Sequence, residues 1–191
     1  MKRVVVPLAH GFEEIETVTV VDILRRAGIA VTIAGVEDGT PPAAVEGRTG
    51  IRLVPDVAMD EVVAADFDML VLPGGLKGAQ TLAKDQRVAR LLPRFQEGER
   101  YIAAICAAPT VLAAHGMTAG RRLTSHPSVK DQLTGAVYDE GRVVIDGRLV
   151  TSRGPGTAME FAMALVQILM GRKKVEEINQ GVLAPSIPFL E

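Results

Sequence analysis

The feature that most narrows the fold is an alternation: short apolar runs rich in β-branched residues trade places with helical stretches. Arg3–Leu8 is a continuous apolar run closed by Ala9-His10-Gly11, the pattern of a strand buried on both faces. Glu14–Ala27 carries strand formers at its centre, Thr17 to Val21, which makes it ambiguous at first sight. Acids crowd its first turn, Arg25 and Arg26 its last, and Gly28 supplies a stop, so a helix is expected. Ala30–Gly35 reads as the next strand. A β-α-β opening of this kind predicts a parallel pair joined by a right-handed crossover.

The alternation continues. Met69–Leu72 and Tyr101–Ile105 read as buried strands, the first closed by Pro73-Gly74-Gly75. Asp85–Glu97 has Val88, Leu91, Leu92 and Phe95 at helical spacing, with Pro93 expected to kink or split it. Ala107–His115 is a short helix, Arg122–Thr124 a strand, and Gly39–Pro55 a Gly/Pro-rich stretch expected to hold short strands or an excursion from the sheet. Val143–Ile145 and Leu149–Thr151 flank Asp146-Gly147 as a hairpin. Thr157 with Glu160 predicts a capping box for a helix with Phe161, Ala164, Leu165 and Ile168 on one face and Gly171 at its end. No repeat or linker interrupts the chain. Residues 1–191 are expected to form one domain, an α/β doubly wound sandwich with a mostly parallel central sheet and helices on both faces.

Charge excludes several partners. The chain has 21 Lys+Arg against 23 Asp+Glu, a net charge of −2, so no broad field attracts nucleic acid or an anionic membrane. The basic clusters Arg25-Arg26, Arg121-Arg122 and Arg172-Lys173-Lys174 are short, and two sit where helices are expected to end. With no Trp, a stacking platform for single strands is not supported. Lys2-Arg3 does not open an export signal, because the apolar stretch after it contains Pro7 and runs into Glu13-Glu14. The uncharged run Tyr101–Ala114 is too short to span a bilayer. One cysteine, Cys106, cannot form an intrachain disulfide, and a cytoplasmic protein is expected.

In such sheets ligands bind beyond the carboxyl ends of the strands. Cys106 stands there, directly after Tyr101–Ile105, with small residues Ala104 and Ala108 two positions to either side. That spacing suits a sharp strand-to-helix elbow presenting a nucleophile, and Pro109 fits the first turn of the helix. The helix N-terminus is expected to favour the thiolate. Position alone also admits a small buried hydrophobe. Gly74-Gly75 offers unshielded N–H groups for an oxyanion, or simply a tight turn. Glu16 falls in the otherwise apolar row Glu16, Val20, Ile23, Ala27, where burial would raise its pKa and fit it to act as an acid. A first-turn acid serving the helix dipole is the plainer alternative. His10, His115 and His126 lack metal-ligand spacing; His126, in Ser125-His126-Pro127, is placed to reach the pocket.

Five ordered segments resemble one family. They are Gly11-Phe12-Glu13-Glu14-Ile15-Glu16-Thr17, Leu72-Pro73-Gly74-Gly75, Ala103 to Pro109, Ser125-His126-Pro127 and Thr151 to Thr157. Together they are similar to the ThiJ/PfpI superfamily, in the branch of the parkinsonism-associated protein deglycase and bacterial YajL. The resemblance implies a flavodoxin-like homodimer without cofactor or metal, with Cys106 as the reactive thiol and Glu16 as a protonated glutamate bonded to it. It further implies pocket N–H groups from Gly74, Gly75 and Ala107, with His126 nearby. Arg48 is implied near the pocket and dimer interface, and Arg153 with Gly154-Pro155 in a loop beside the cysteine. The peptidase-like branches need a His after the cysteine or a downstream His-x-Glu. Here Ala107 follows Cys106 and Pro127-Ser128 follow His126, so peptidase activity is not expected.

The function so implied is detoxification of α-oxoaldehydes such as methylglyoxal and glyoxal: a glutathione-independent glyoxalase, a deglycase of glycated amines and thiols, or both. The alternative is a non-enzymatic oxidative-stress sensor and redox chaperone acting through oxidation of Cys106. A third reading is an interaction protein with a vestigial site, and the apolar tail from Val182 to Leu190 is expected to cover a groove or pack at a dimer interface.

Overall fold

The computed structural model describes residues 1–37 and 43–185. Its first half follows β1 (Arg3–Leu8), α1 (Glu14–Arg26), β2 (Ala30–Gly35), β3 (Val45–Glu46), β4 (Arg52–Leu53), β5 (Val57–Ala58), β6 (Met69–Leu72), α2 (Leu76–Lys84) and α3 (Gln86–Glu97). The second half adds β7 (Tyr101–Ile105), α4 (Pro109–Ala114), β8 (Arg122–Leu123), β9 (Val137–Tyr138), β10 (Val143–Asp146), β11 (Leu149–Ser152), α5 (Ala158–Met170) and α6 (Arg172–Val182).

Seven strands form one sheet in the order β10-β11-β7-β6-β1-β2-β5, parallel except for the edge strand β10. The expected α/β sandwich is what forms. Alternate residues of β1 feed two cores: Val4, Val6 and Leu8 pack towards α1 and α5, Val5 towards the α2–α4 side. On the first face Ile23 and Leu24 of α1 share a core with Phe161 and Leu165 of α5. On the second, Leu82, Leu92, Phe95 and Leu112 are buried together. Burying each such side chain contributes about 1.5–3 kcal/mol, and this packing overrides the strand propensity of Thr17–Val21.

Strand order reverses direction between β1 and β6, because β2 lies on one side of β1 and β6 on the other. The β1–β6 ladder pairs Val4 with Met69 and Val5 with Leu70, ending before Pro7, which has no N–H to give. Such a switch point leaves a crevice at the strand ends.

Several local expectations need correction. Pro93 does not split α3, which runs unbroken from Gln86 to Glu97. It is exposed, so its ring lies on the solvent side of the helix. The hairpin loop is Gly147-Arg148 rather than Asp146-Gly147, since Asp146 still pairs with Leu149 and the positive φ falls at Gly147. The capping box does not form. Glu160 is drawn to Arg142 at 2.7 Å, and Thr157 turns back to Gly154 and Ser152. Arg172-Lys173-Lys174 open α6, a helix the sequence reading omitted along with α2. The excursion does hold short strands, the antiparallel pair β3–β4, although its positions 39–42 lie outside the described residues. So does the tail beyond Pro185, including Phe189 and Leu190.

The basic clusters are largely neutralised in place. Arg25 and Arg26 pair with Asp56 and Asp22, Arg121 and Arg122 with Asp146 and Asp139, and Lys174 with Glu177. Among the described residues no helix is long and apolar enough to cross a membrane.

Candidate active site

Three consecutive strand ends build the crevice at the switch point. β7 ends in Cys106, whose φ of +64° is a left-handed conformation that a side chain adopts at a cost of about 1–3 kcal/mol. The surroundings hold it there from both sides. The Cys106 N–H donates to the Ser152 carbonyl of β11 at 2.9 Å, and its carbonyl accepts from the His126 N–H at 2.8 Å. This is the sharp elbow that the Ala104 and Ala108 spacing predicted, and it leaves Cys106 half-buried.

α1, entered from β1, supplies Glu16. Its side chain is fully buried, and Oε2 accepts from the Gly74 N–H at 2.9 Å. Oε1 is buried with no hydrogen-bond partner among the described residues, and the carboxyl interacts with the Cys106 thiol. β6 brings Gly74-Gly75. A Cβ on Gly74 would run into Glu16 Oε2, Cys106 Cβ at 2.6 Å and the Ile105 carbonyl at 2.9 Å, so only glycine lets the three segments meet. Gly75, at φ +87°, presses against the Gly11–Glu13 turn in the same way.

Two expectations about the pocket amides separate here. The N–H groups of Gly75 and Ala107 do point at the Cys106 sulfur. That of Gly74 is taken by Glu16 and does not stand free for an oxyanion.

Burial pushes the Glu16 carboxyl up to about 7; nearby Glu13 adds to the rise, while Cys106, the Gly74 N–H and Arg48 oppose it. Burial likewise pushes the Cys106 thiol up to about 12. The charge and hydrogen bond of Glu16 reinforce this against the Gly75 and Ala107 amides. The expectation of a thiol ionised by a helix N-terminus is therefore not met. α4 has only six residues, and desolvation beside a carboxylate outweighs its dipole. What the fold provides instead is a buried carboxyl group of raised proton affinity beside a thiol whose ionisation is opposed.

The remaining predicted residues surround this pair unevenly. His126 is exposed, and its Nδ1 lies 2.7 Å from Ser128 Oγ and accepts from the Ser128 N–H at 3.2 Å. Its ring and the sulfur flank Gly154: a Cβ built there would lie 3.5 Å from Cδ2 and 4.0 Å from Sγ. Pro155, the next residue, is half-buried in the same loop. Arg153 turns away and donates to the Glu140 carbonyl at 2.9 Å. Arg48 lies at the rim, bonded to Glu13 at 3.0 Å, and its charge is felt by both Glu16 and Cys106.

Sequence reasoning missed Glu13 as part of the site, and also Ser152 and Thr157, which fix the loops around Cys106. The signal for Glu13 was present: Glu13, Glu14 and Glu16 are too many acids for one helix dipole, and all three are buried. Among the described residues no group of three His, Cys, Asp or Glu side chains is arranged to hold a metal ion.

A model of the DJ-1/PfpI family matches residues 2–168. The chain belongs to the DJ-1/PfpI family. It is 46% identical over 184 residues to protein dj-1beta of Drosophila melanogaster, covering 95% of this chain and 97% of that one. It is 43% identical over 168 residues to the glutathione-independent glyoxalase DJR-1.2 of Caenorhabditis elegans, covering 87% of each. The crystal structure of the Drosophila DJ-1beta superposes with a TM-score of 0.91 at 47% identity, over 97% of this chain and 99% of that chain. Membership agrees with the doubly wound sheet described above.

Proposed function

We propose that this family member is a cofactor-independent enzyme acting through Cys106 on α-oxoaldehydes, as a glyoxalase and as a deglycase of their early adducts. The observation that carries the reading is the buried Glu16 carboxyl interacting with the Cys106 thiol, which also faces the Gly75 and Ala107 N–H groups. The relative named as a glutathione-independent glyoxalase supports the substrate class.

With methylglyoxal, Sγ adds to the aldehyde carbon while the Glu16 carboxylate takes the thiol proton. The new oxyanion is held by the Gly75 and Ala107 amides and then receives that proton. Glu16 next removes the hydrogen on the former aldehyde carbon and returns a proton to the neighbouring carbon, converting the hemithioacetal to a lactoyl thioester. Water hydrolyses the thioester, releasing lactate and the thiol. The sum is methylglyoxal plus water to lactate, with oxidation and reduction on adjacent carbons of one molecule, so no external electron carrier takes part. His126 acts as a hydrogen-bond donor at the mouth of the pocket. From a glycated amine the same steps return the free amine.

The working unit in this reading is a homodimer in the cytoplasm, where a lone thiol stays reduced. Exposed Ile15 and Val18 on α1, and Ile51 beside the β3–β4 hairpin bonded to Glu14, offer an apolar face for a second copy. Light scattering should give twice the chain mass.

Lactate formation followed by proton NMR, with Cys106→Ser as control, tests the activity. Turnover lost in the variant, with the fold retained, is the expected result. Negligible turnover in the wild type, together with selective dioxidation of Cys106 by mild peroxide in intact-mass spectra, would instead establish the sensor.

A further inference from the structure

We infer that a cavity at the opposite end of the sheet from Cys106 binds a medium-chain aliphatic monocarboxylate. Cys106 follows the carboxyl end of β7. The cavity lies at the other end, beside Ile102 near the start of β7 and Leu149 at the start of its parallel neighbour β11. Its volume is about 260 Å³, at the small end for a ligand pocket and suited to a single alkyl chain. Ile102, Leu112 and Leu149 are buried around it and Met117 is half-buried, which gives the slot an aliphatic part beside its polar side chains.

Three guanidiniums stand around this lining, and their bonding differs. Arg121 is committed to Asp146, with 2.6 Å contacts to both its carboxylate and its carbonyl. Arg148 lies over the Tyr101 ring, 5.4 Å from its centroid, and reaches Glu99 at 3.5 Å. Arg100 donates to the Arg94 carbonyl at 3.3 Å and has no carboxylate partner among the described residues. A cation without its counter-charge, set beside a slot of aliphatic side chains, matches an amphipathic anion at both ends. The chain leaves water for the slot, and the carboxylate makes charge-assisted hydrogen bonds to the guanidinium.

Glu99 is the one acid of the lining and its natural competitor. It sits at φ +52°, and its side chain is 81% exposed where it meets Arg148, itself half exposed. A contact so open to solvent is weak, and a ligand carboxylate can replace it.

Titration of the 15N-labelled full chain with octanoate, and separately with octanol, tests the assignment. Saturable shifts are expected at the amides of Ile102, Met117 and Leu149, with octanoate bound more tightly than octanol. Arg100→Gln should weaken octanoate about tenfold or more without changing octanol, because it removes a hydrogen bond to a charged group. Glu99→Gln should tighten octanoate by roughly two- to threefold, since the competing carboxylate is gone. The amide spectrum itself reports whether each variant is folded. Absence of saturable shifts, shifts centred on Cys106, equal affinity for acid and alcohol, or octanoate binding unaltered by both charge variants would each overturn the proposal.

Discussion

Glu16 and Gly74 are tied across the switch point of the sheet: the Gly74 N–H donates to Glu16 Oε2 at 2.9 Å, and the same carboxyl interacts with the Cys106 thiol. The bond orients the carboxyl without neutralising it, so burial rather than pairing sets its proton affinity.

The first consequence is a stability slope. The folded pKa of about 7 lies above the ordinary carboxyl value of 4.5, so the native state binds the proton more tightly than the unfolded chain. The stabilisation is fully present below about 4.5 and is lost as pH rises through about 7, a change on the order of 3 kcal/mol. Urea unfolding of the wild type and Glu16→Gln across this range should show the wild type losing stability relative to the variant as pH rises. Parallel curves would mean that Glu16 does not titrate in this window.

Catalysis should depend on the same proton in the opposite sense. If Glu16 acts as a base, kcat/KM for methylglyoxal rises with pH through an apparent pKa near 7. Glu16→Gln should cost about 10²–10⁴ in rate and flatten that limb, as read by lactate formation from pH 5 to 9.

Gly74→Ala should damage both fold and site. Its Cβ would collide with Glu16, Cys106 and the Ile105 carbonyl, two of them parts of fixed elements. A loss of about 2 kcal/mol is expected from overpacking, with turnover reduced even at temperatures where the variant stays folded. Thermal melts paired with kinetics measure both.

Thr157→Val tests the loop beside the sulfur. The Thr157 hydroxyl meets Ser152 Oγ at 2.6 Å, accepts from the Gly154 N–H at 3.1 Å and donates to the Gly154 carbonyl at 2.9 Å. Valine keeps the shape and leaves these buried groups unpaired, at about 1–3 kcal/mol. Thr157→Ser should recover most of the loss in chemical denaturation.

Much of the fold was legible because its signals are local. The buried runs of β1, β6 and β7 and the charge polarity of α1 belong to contiguous residues, and those elements form within a residue or two of expectation. The elbow at Cys106 was legible for the same reason, since small neighbours and a following proline are read in one short window. α2 was not read, because its start after Gly74-Gly75 looks like a turn, nor was α6, because Gly171 suggested an end rather than a junction between two helices.

The amino-acid order thus determined the alternation of strands and helices, the place of the cysteine at a strand end and the row that carries Glu16. Tertiary structure decided what those groups are. Glu160 turns to Arg142 and Arg153 turns away to the Glu140 carbonyl, each choosing a partner distant in the chain, while Thr157 gives up its capping box for neighbouring Gly154 and Ser152. The thiol is likewise governed by a carboxylate ninety positions earlier and by the water that both have lost, rather than by its own short helix. Proton affinity in a buried pair depends on solvation and on the neighbour's charge, and neither exists until the strands have been brought side by side.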